Sequence, residues 1–186
     1  MDDLARITAD AAAGDPLAAA ALVRATQSDV WRLCAALGDP GSADDLAQET
    51  YLRAFQSLHR FEGRSSVRTW LLSIARRVCA DAVRRRRRRR LVLVGDDDAL
   101  AAVPGAGGAD PTGEGAAVAD LLGRLDPERR EAFALTQLLG LSYAEAAEVA
   151  GCAVGTIRSR VARGRAELVA ALRGTADGHD GDVAHS

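Results

Sequence analysis

The side chains best placed to do chemistry lie near the C-terminus, and their chemistry is recognition. Arg158, Ser159, Arg163 and Arg165, with Thr156 just ahead of them, follow one another in a stretch of helical spacing. An arginine fork binds guanine O6 and N7 in bidentate fashion, serine is a less selective donor and acceptor, and any of these groups can hold a phosphate. Arg158 and Arg163 are the candidates for reading bases. Covalent chemistry has little to start from: His59 is solitary, no nucleophile has a base partner, and no glycine-rich phosphate loop occurs. The chain is therefore not expected to be an enzyme or to need a cofactor. Cys34, Cys79 and Cys152 lie far apart and read as small buried hydrophobes, and His179 and His185 near the end make too weak a set for a metal site.

Helices must position the arginines. Asp126-Pro127-Glu128 supplies an N-cap, a first-turn proline and an acid, and predicts a helix to Leu139 that Gly140 stops. A second helix opens at Ser142, with Glu145 three residues on to complete a capping box, and ends at Ala150 before Gly151-Cys152 turns the chain. Ile157, Val161 and Leu168 then point a third helix at a core and leave the arginines outside. A helix, a glycine turn and a helix with a basic outer face make a helix-turn-helix, whose second helix enters the major groove.

The N-terminal half reads as a second helical unit. Gly14-Asp15-Pro16 starts a helix that carries Val23, Val30, Leu33 and Leu37 inward, and Gly38-Asp39-Pro40-Gly41 ends it. Another helix from Ser42 turns Leu46, Tyr51, Phe55 and Leu58 to one side and Asp45, Gln48 and Glu49 to the other. After the loop Phe61 to Ser66, a helix from Val67 or Arg68 runs toward Arg84. Charge is uneven: residues 64 to 90 hold eleven arginines against one acid, Asp81, whereas residues 1 to 50 hold nine acids against three arginines. The basic stretch suits phosphate, and the acidic one should keep the chain from coating DNA indiscriminately.

Motifs in both halves of the chain resemble one family. Asp126-Pro127-Glu128-Arg129-Arg130-Glu131-Ala132-Phe133, Leu141-Ser142-Tyr143-Ala144-Glu145-Ala146-Ala147 and Gly155-Thr156-Ile157-Arg158-Ser159-Arg160 resemble region 4 of the extracytoplasmic-function (ECF) sigma factors of the sigma-70 family. Ser42 to Ala54 is similar, nearly position for position, to their region 2.2, and the stretch from Phe61 to Arg84 resembles regions 2.3 and 2.4. The resemblance implies core RNA polymerase as partner, through its β′ and β subunits, with Asp45, Gln48 and Glu49 docking on the β′ coiled coil. It implies promoter DNA as the second partner. Thr156, Arg158, Ser159, Arg163 and Arg165 would read the minus-35 element. Phe61, Gly63, Arg64, Ser65, Ser66, Arg68, Arg76, Arg77 and Arg84 would hold the minus-10 strand, with the catalytic magnesium left to the polymerase. Many relatives are held inactive by an anti-sigma factor, so such a partner is a further expectation.

Some readings stay open. Trp70 either packs in the core or offers a ring to a base. The run Arg84 to Arg90 is either a solvated helix end or a phosphate-binding extension, and the linker acids either mimic nucleic acid or aid solubility. Two residues depart from the family pattern: Ala153 where a capping residue is common, and Gly164 where alanine is usual.

Hydrophobic content of 48% with only 4% aromatic favours Ala/Leu/Val helices over sheet. The expectation is an all-α protein of two small helical domains, region 2 (1–90) and region 4 with its helix-turn-helix (117–173), joined by a flexible linker (91–116) and followed by a disordered tail (174–186). With no basic apolar leader and no membrane-length run, it is expected to be cytoplasmic, off the membrane and monomeric when free. The expected function is an alternative sigma factor that binds core polymerase, recognises both promoter elements and melts DNA. The rival is a helix-turn-helix regulator that never docks on polymerase. Such a regulator usually dimerises on a palindrome and has no need of the Asp45, Gln48, Glu49 face.

Overall fold

Local capping chemistry sets where each helix begins and ends. The computed structural model describes residues 3–38, 40–93 and 121–177, and every regular element among them is helical. The helices are α1 (Asp3–Ala12), α2 (Pro16–Leu37), α3 (Ala43–Ser57), α4 (Val67–Leu93), α5 (Pro127–Phe133), α6 (Tyr143–Ala150) and α7 (Val154–Asp177). Asp15 caps α2 by accepting the Leu17 amide at 2.8 Å, and Asp126 caps α5 by accepting that of Glu128 at 3.0 Å. Ser142 and Glu145 form the expected capping box, and Gly151 closes α6 in the left-handed conformation at φ 66°.

α5 departs from a plain helix. Residues Ala134–Leu138 widen into a π-helical turn, in which the Leu139 amide reaches back to the Ala134 carbonyl at 3.0 Å. Gly140, at φ 67°, then stops the chain where the glycine signal placed the stop.

In the first half, α2, α3 and α4 pack on one another around Leu33, Cys34, Leu46, Leu71, Leu72, Val78 and Cys79. Gly38 lets α2 meet α3 closely: a Cβ there would lie 2.5 Å from Leu46 Cδ1 and 2.8 Å from the Cys34 carbonyl. Two inward rows differ from expectation. On α2 the buried residue is Leu22, with Val23 only half-buried; on α3 the buried row is Ala43, Leu46, Thr50 and Ala54, while Phe55 is 37% exposed. Thr50 buries its hydroxyl without penalty by donating to the Leu46 carbonyl at 2.7 Å. A polar residue can therefore hold an inward position that hydropathy awards to its aromatic neighbour.

Cys34 and Cys79 are buried as expected, whereas Cys152 is half-exposed. Cys34 and burial together push the Cys79 thiol up, so it stays a protonated core group. α4 runs through the arginine run to Leu93, three residues into the stretch read as linker, and α7 runs to Asp177, four residues into the expected tail. The rest of both stretches, with His179 and His185, lies outside the described residues.

The two halves share one apolar core. α4 packs on α6, and α2 on α5 and the π-helical turn, so that Leu135, Leu139, Leu141 and Ala146 join the cluster built by α2 to α4. In the second half α7 crosses α5 with Ile157 and Val161 buried. Gly164 is buried at that crossing, yet a Cβ on it would meet Arg129, Leu125 and Phe133 at 3.6 to 3.8 Å, which is ordinary contact. Gly164→Ala should therefore stabilise the protein by about 1 kcal/mol through helix propensity alone. Thermal unfolding followed by circular dichroism checks this, and a lower midpoint would show that the crossing cannot take the methyl group.

Candidate nucleic-acid interface

About 3.6 residues per turn splits the basic side chains of α7 into two rows flanking its exposed ridge. Thr156, Ser159 and Arg163 line an open cleft of about 490 Å³ whose other wall is the start of α5, from Asp126 to Arg129. Arg158 and Arg165 lie on the far side. Arg158 stands over the Tyr143 ring with 6.0 Å to the centroid, and Arg165 reaches Gln137 at 3.4 Å. The five residues share one helix, but not one face. Arg160 lines the same cleft as Thr156, Ser159 and Arg163 but is engaged there, pairing with Glu128 and approaching Cys152 Sγ at 3.9 Å, a structural tie between α7 and α5. Arg129 makes a second such tie with Glu167.

The loop after α3 is built for a close approach at its tip. Gly63 has φ 68° and open space where a Cβ would stand, and Arg64 beside it pairs with Glu62 in solvent. Ser66 has a role that the sequence reading did not assign: its Oγ accepts the Thr69 amide at 3.0 Å and so caps α4, and Ser-x-x-Thr ahead of the apolar run was the available signal. Ser65 is half-buried. Trp70 packs its ring on Phe61, centroids 5.0 Å apart, and against the core. Of its two readings, packing is the one the fold adopts.

The arginines that follow divide sharply. Arg77 and Arg84 are exposed, and Arg84 pairs with Asp81. Arg68 and Arg76 instead face the other half of the molecule. Arg68 donates through Nε to Asp29 at 2.6 Å and through Nη2 to the Leu139 carbonyl at 2.7 Å, one of the carbonyls a helix end leaves without an intrahelical partner. Arg76 pairs with Glu131, whose side chain is only 14% exposed. No local pattern marks these contacts, which join residues 71 and 55 positions apart.

On α3, Asp45 and Gln48 are exposed and Glu49 half-exposed, on the side opposite the buried row. Glu49 is also tied: Arg53 binds it at 2.7 Å and reaches across to Asp81 on α4 at 2.9 Å. Those guanidiniums, Arg53 first and then Arg84, hold the Asp81 carboxyl below the usual range. Asp45 opens onto a groove of about 750 Å³ whose far wall is basic, with Arg85, Arg86 and Arg89. The polar stripe continues into exposed apolar side chains, Leu52 (59%) and Phe55, which the sequence reading had not included in the surface. Among the described residues no three His, Cys, Asp or Glu side chains gather as a metal would require, and no helix is long and apolar enough to cross a membrane.

An all-helical first half joined to a helix-turn-helix is the arrangement of sigma-70 regions 2 and 4. Sigma-70 region 2 matches residues 22–89, and sigma-70 region 4 matches residues 115–168. The chain is 50% identical over 162 residues to the ECF RNA polymerase sigma factor SigC of Mycobacterium tuberculosis, covering 86% of each. Two solved structures are similar along most of their length. One is CnrH in complex with the cytosolic domain of CnrY, at TM-score 0.70 and 31% identity over 90% of this chain and 96% of that one. The other is RpoE in complex with the anti-sigma factor NepR from Bartonella quintana, at TM-score 0.67 and 29% identity over 81% and 94%. The chain belongs to the ECF sigma factors of the sigma-70 family, and its type is that of SigC. It is an alternative RNA polymerase sigma factor that directs transcription, and the polymerase-independent regulator is not favoured.

Proposed function

We propose that the chain docks on core polymerase through Asp45, Gln48 and Glu49 of α3, toward the β′ coiled coil, and reads promoter DNA with both halves. The observation that carries this is the division of α3 into a buried row and an exposed acid and amide face, which suits a basic partner surface. Region 4 contacts β and sets Thr156, Arg158, Ser159, Arg163 and Arg165 against the minus-35 duplex. Phe61, Gly63, Arg64, Ser65 and Ser66 form the loop that takes up an unstacked minus-10 base, while Arg77 and Arg84 lie along the backbone. The exposed Arg85 to Arg89 extend that phosphate track beyond Arg84.

Arg76 joins this surface when the halves part and release it from Glu131, whereas Arg68 then loses the Leu139 carbonyl but keeps its pair with Asp29 of its own half. Glu131→Gln removes the charge of one seam pair. A half-buried pair contributes about 1 to 3 kcal/mol, so the open fraction should rise at least about fivefold. The expected result is a larger radius of gyration in small-angle scattering and tighter binding of a single strand. An unchanged radius would mean that apolar packing alone holds the seam.

An anti-sigma factor is the third partner proposed, on the strength of RpoE, which was solved with NepR. Run-off transcription with purified core polymerase on a genomic fragment library tests the whole reading. Discrete transcripts that require the protein support it. An absence of transcripts, together with dimeric binding to duplex DNA in the absence of polymerase, would return the regulator reading.

A further inference from the structure

The two ends of the loop at residues 61–66 rest on a small apolar cluster that is separate from the main core. Leu58 ahead of the loop and Val67 behind it meet Leu22 of α2, and all three are at most 5% exposed. Leu4, Ile7 and Ala11 of α1 close over that cluster from one side, and the rings of Phe61 and Trp70 from the other. α1 also contacts the single turn at Leu58–Arg60 and the start of α4. It lies ahead of residue 22, where the region 2 match begins, and carries none of the contacts proposed above.

The opposite side of α1 is polar and self-contained. Arg6 pairs there with Asp3 at 2.8 Å and Asp10 at 3.5 Å, whereas Thr8 is buried on the packed side and returns its hydroxyl to the Leu4 carbonyl at 2.7 Å. The apolar stripe of α1 packs most extensively on α2 and also reaches the turn ahead of the loop and α4. The tip of the loop has no such support, since Gly63 stands in open space and Arg64 and Glu62 pair in solvent. A loop fixed only at its ends keeps its shape only while those ends stay in place.

We propose that α1 is a positioning element for minus-10 strand capture, with Ile7 and Leu4 holding Leu58, Phe61 and Val67 so that the 61–66 loop presents a preformed site to the unstacked base. This rests on reading that loop as the strand-capturing one. Base capture depends on preorganised stacking and edge contacts, and losing one stacked base costs about tenfold in affinity. The docking face of α3 and the recognition helix α7 contain no member of this cluster, so α1 can be weakened without touching either.

The test uses full-length protein assembled with core polymerase on a promoter fragment that the wild type transcribes. Ile7→Ala, Ile7→Asp and the conservative Ile7→Val are compared by polymerase binding, by binding of the upstream duplex, and by permanganate reactivity of unpaired thymines in the minus-10 region. Ile7→Ala and Ile7→Asp should lower strand opening, Ile7→Asp by about tenfold, with polymerase and upstream-duplex binding unchanged and Ile7→Val close to wild type. Wild-type opening in all three variants overturns the proposal. So does a loss in Ile7→Ala that falls equally on polymerase binding, duplex binding and opening, because α1 would then only stabilise the fold. Failure of the wild type to transcribe any fragment is a different outcome, which overturns the reading on which the proposal rests.

Discussion

Asp45→Arg should abolish transcription with core polymerase while leaving the fold intact. Asp45 is exposed in the first turn of α3, and its buried neighbours Ala43 and Leu46 continue to anchor the helix. Asp44 beside it is already engaged, accepting the indole N–H of Trp31 at 3.0 Å, so it cannot readily take over a docking contact. Removing one partner of a desolvated interfacial charge pair costs about 2 to 5 kcal/mol, and reversing the charge adds repulsion against a basic surface. Polymerase affinity should therefore fall by a factor of about 30 or more.

The substitution also has an intramolecular cost. An arginine there loses a favourable acid near a helix N-terminus and faces Arg85, Arg86 and Arg89 across the groove, an effect of about 1 kcal/mol that circular dichroism melting will separate from docking. Normal melting with no run-off product is the expected pair of results. Wild-type initiation by Asp45→Arg would place the docking surface elsewhere, with exposed Leu52 and Phe55 the next side chains to test.

The second large effect is expected at Arg158. Its position over Tyr143 restrains a guanidinium that is otherwise exposed, so less freedom is lost when it binds a base edge. Arg158→Ala should weaken minus-35 duplex binding by about 1 to 3 kcal/mol and relax preference at one base position. Arg163, in the cleft with Thr156 and Ser159, makes the contrasting case. If it holds phosphate, Arg163→Ala weakens all sequences alike and lowers the salt slope by about one. Arg160→Ala is the control: its guanidinium is spoken for by Glu128, so the loss should appear in stability rather than in DNA affinity. Titrations of duplex variants at several salt concentrations tell the three apart. Equal loss of preference for Arg158→Ala and Arg163→Ala would mean that both rows reach base edges.

Capping and stop signals were legible because each acts over a few residues. Asp15, Asp126, the Ser142–Glu145 box, Gly140 and Gly151 stand where their chemistry placed them. The rotation of a helix about its own axis was less legible. An alanine-rich helix offers several nearly equivalent apolar stripes, and packing against neighbours picked Leu22 over Val23 and Thr50 with Ala54 over Tyr51 with Phe55. The π-helical turn at Ala134–Leu138, which packs against α2, carried no composition signal either.

The same distinction runs through the site. Sequence by itself determined that the protein is helical, that it ends in a helix-turn-helix, and which residue types the surfaces of α3, α7 and the 61–66 loop present. Those properties follow from local propensity, capping and charge, which depend on near neighbours along the chain. Only the tertiary structure decided that Arg68 and Arg76 are drawn into the seam, that Thr156, Ser159 and Arg163 face the start of α5 across a cleft, and that α1 underlies the loop. Each of these is set by contacts between residues far apart in the chain. A guanidinium goes to whichever carboxylate or open carbonyl the packed helices bring within reach, and one-dimensional spacing holds no record of that.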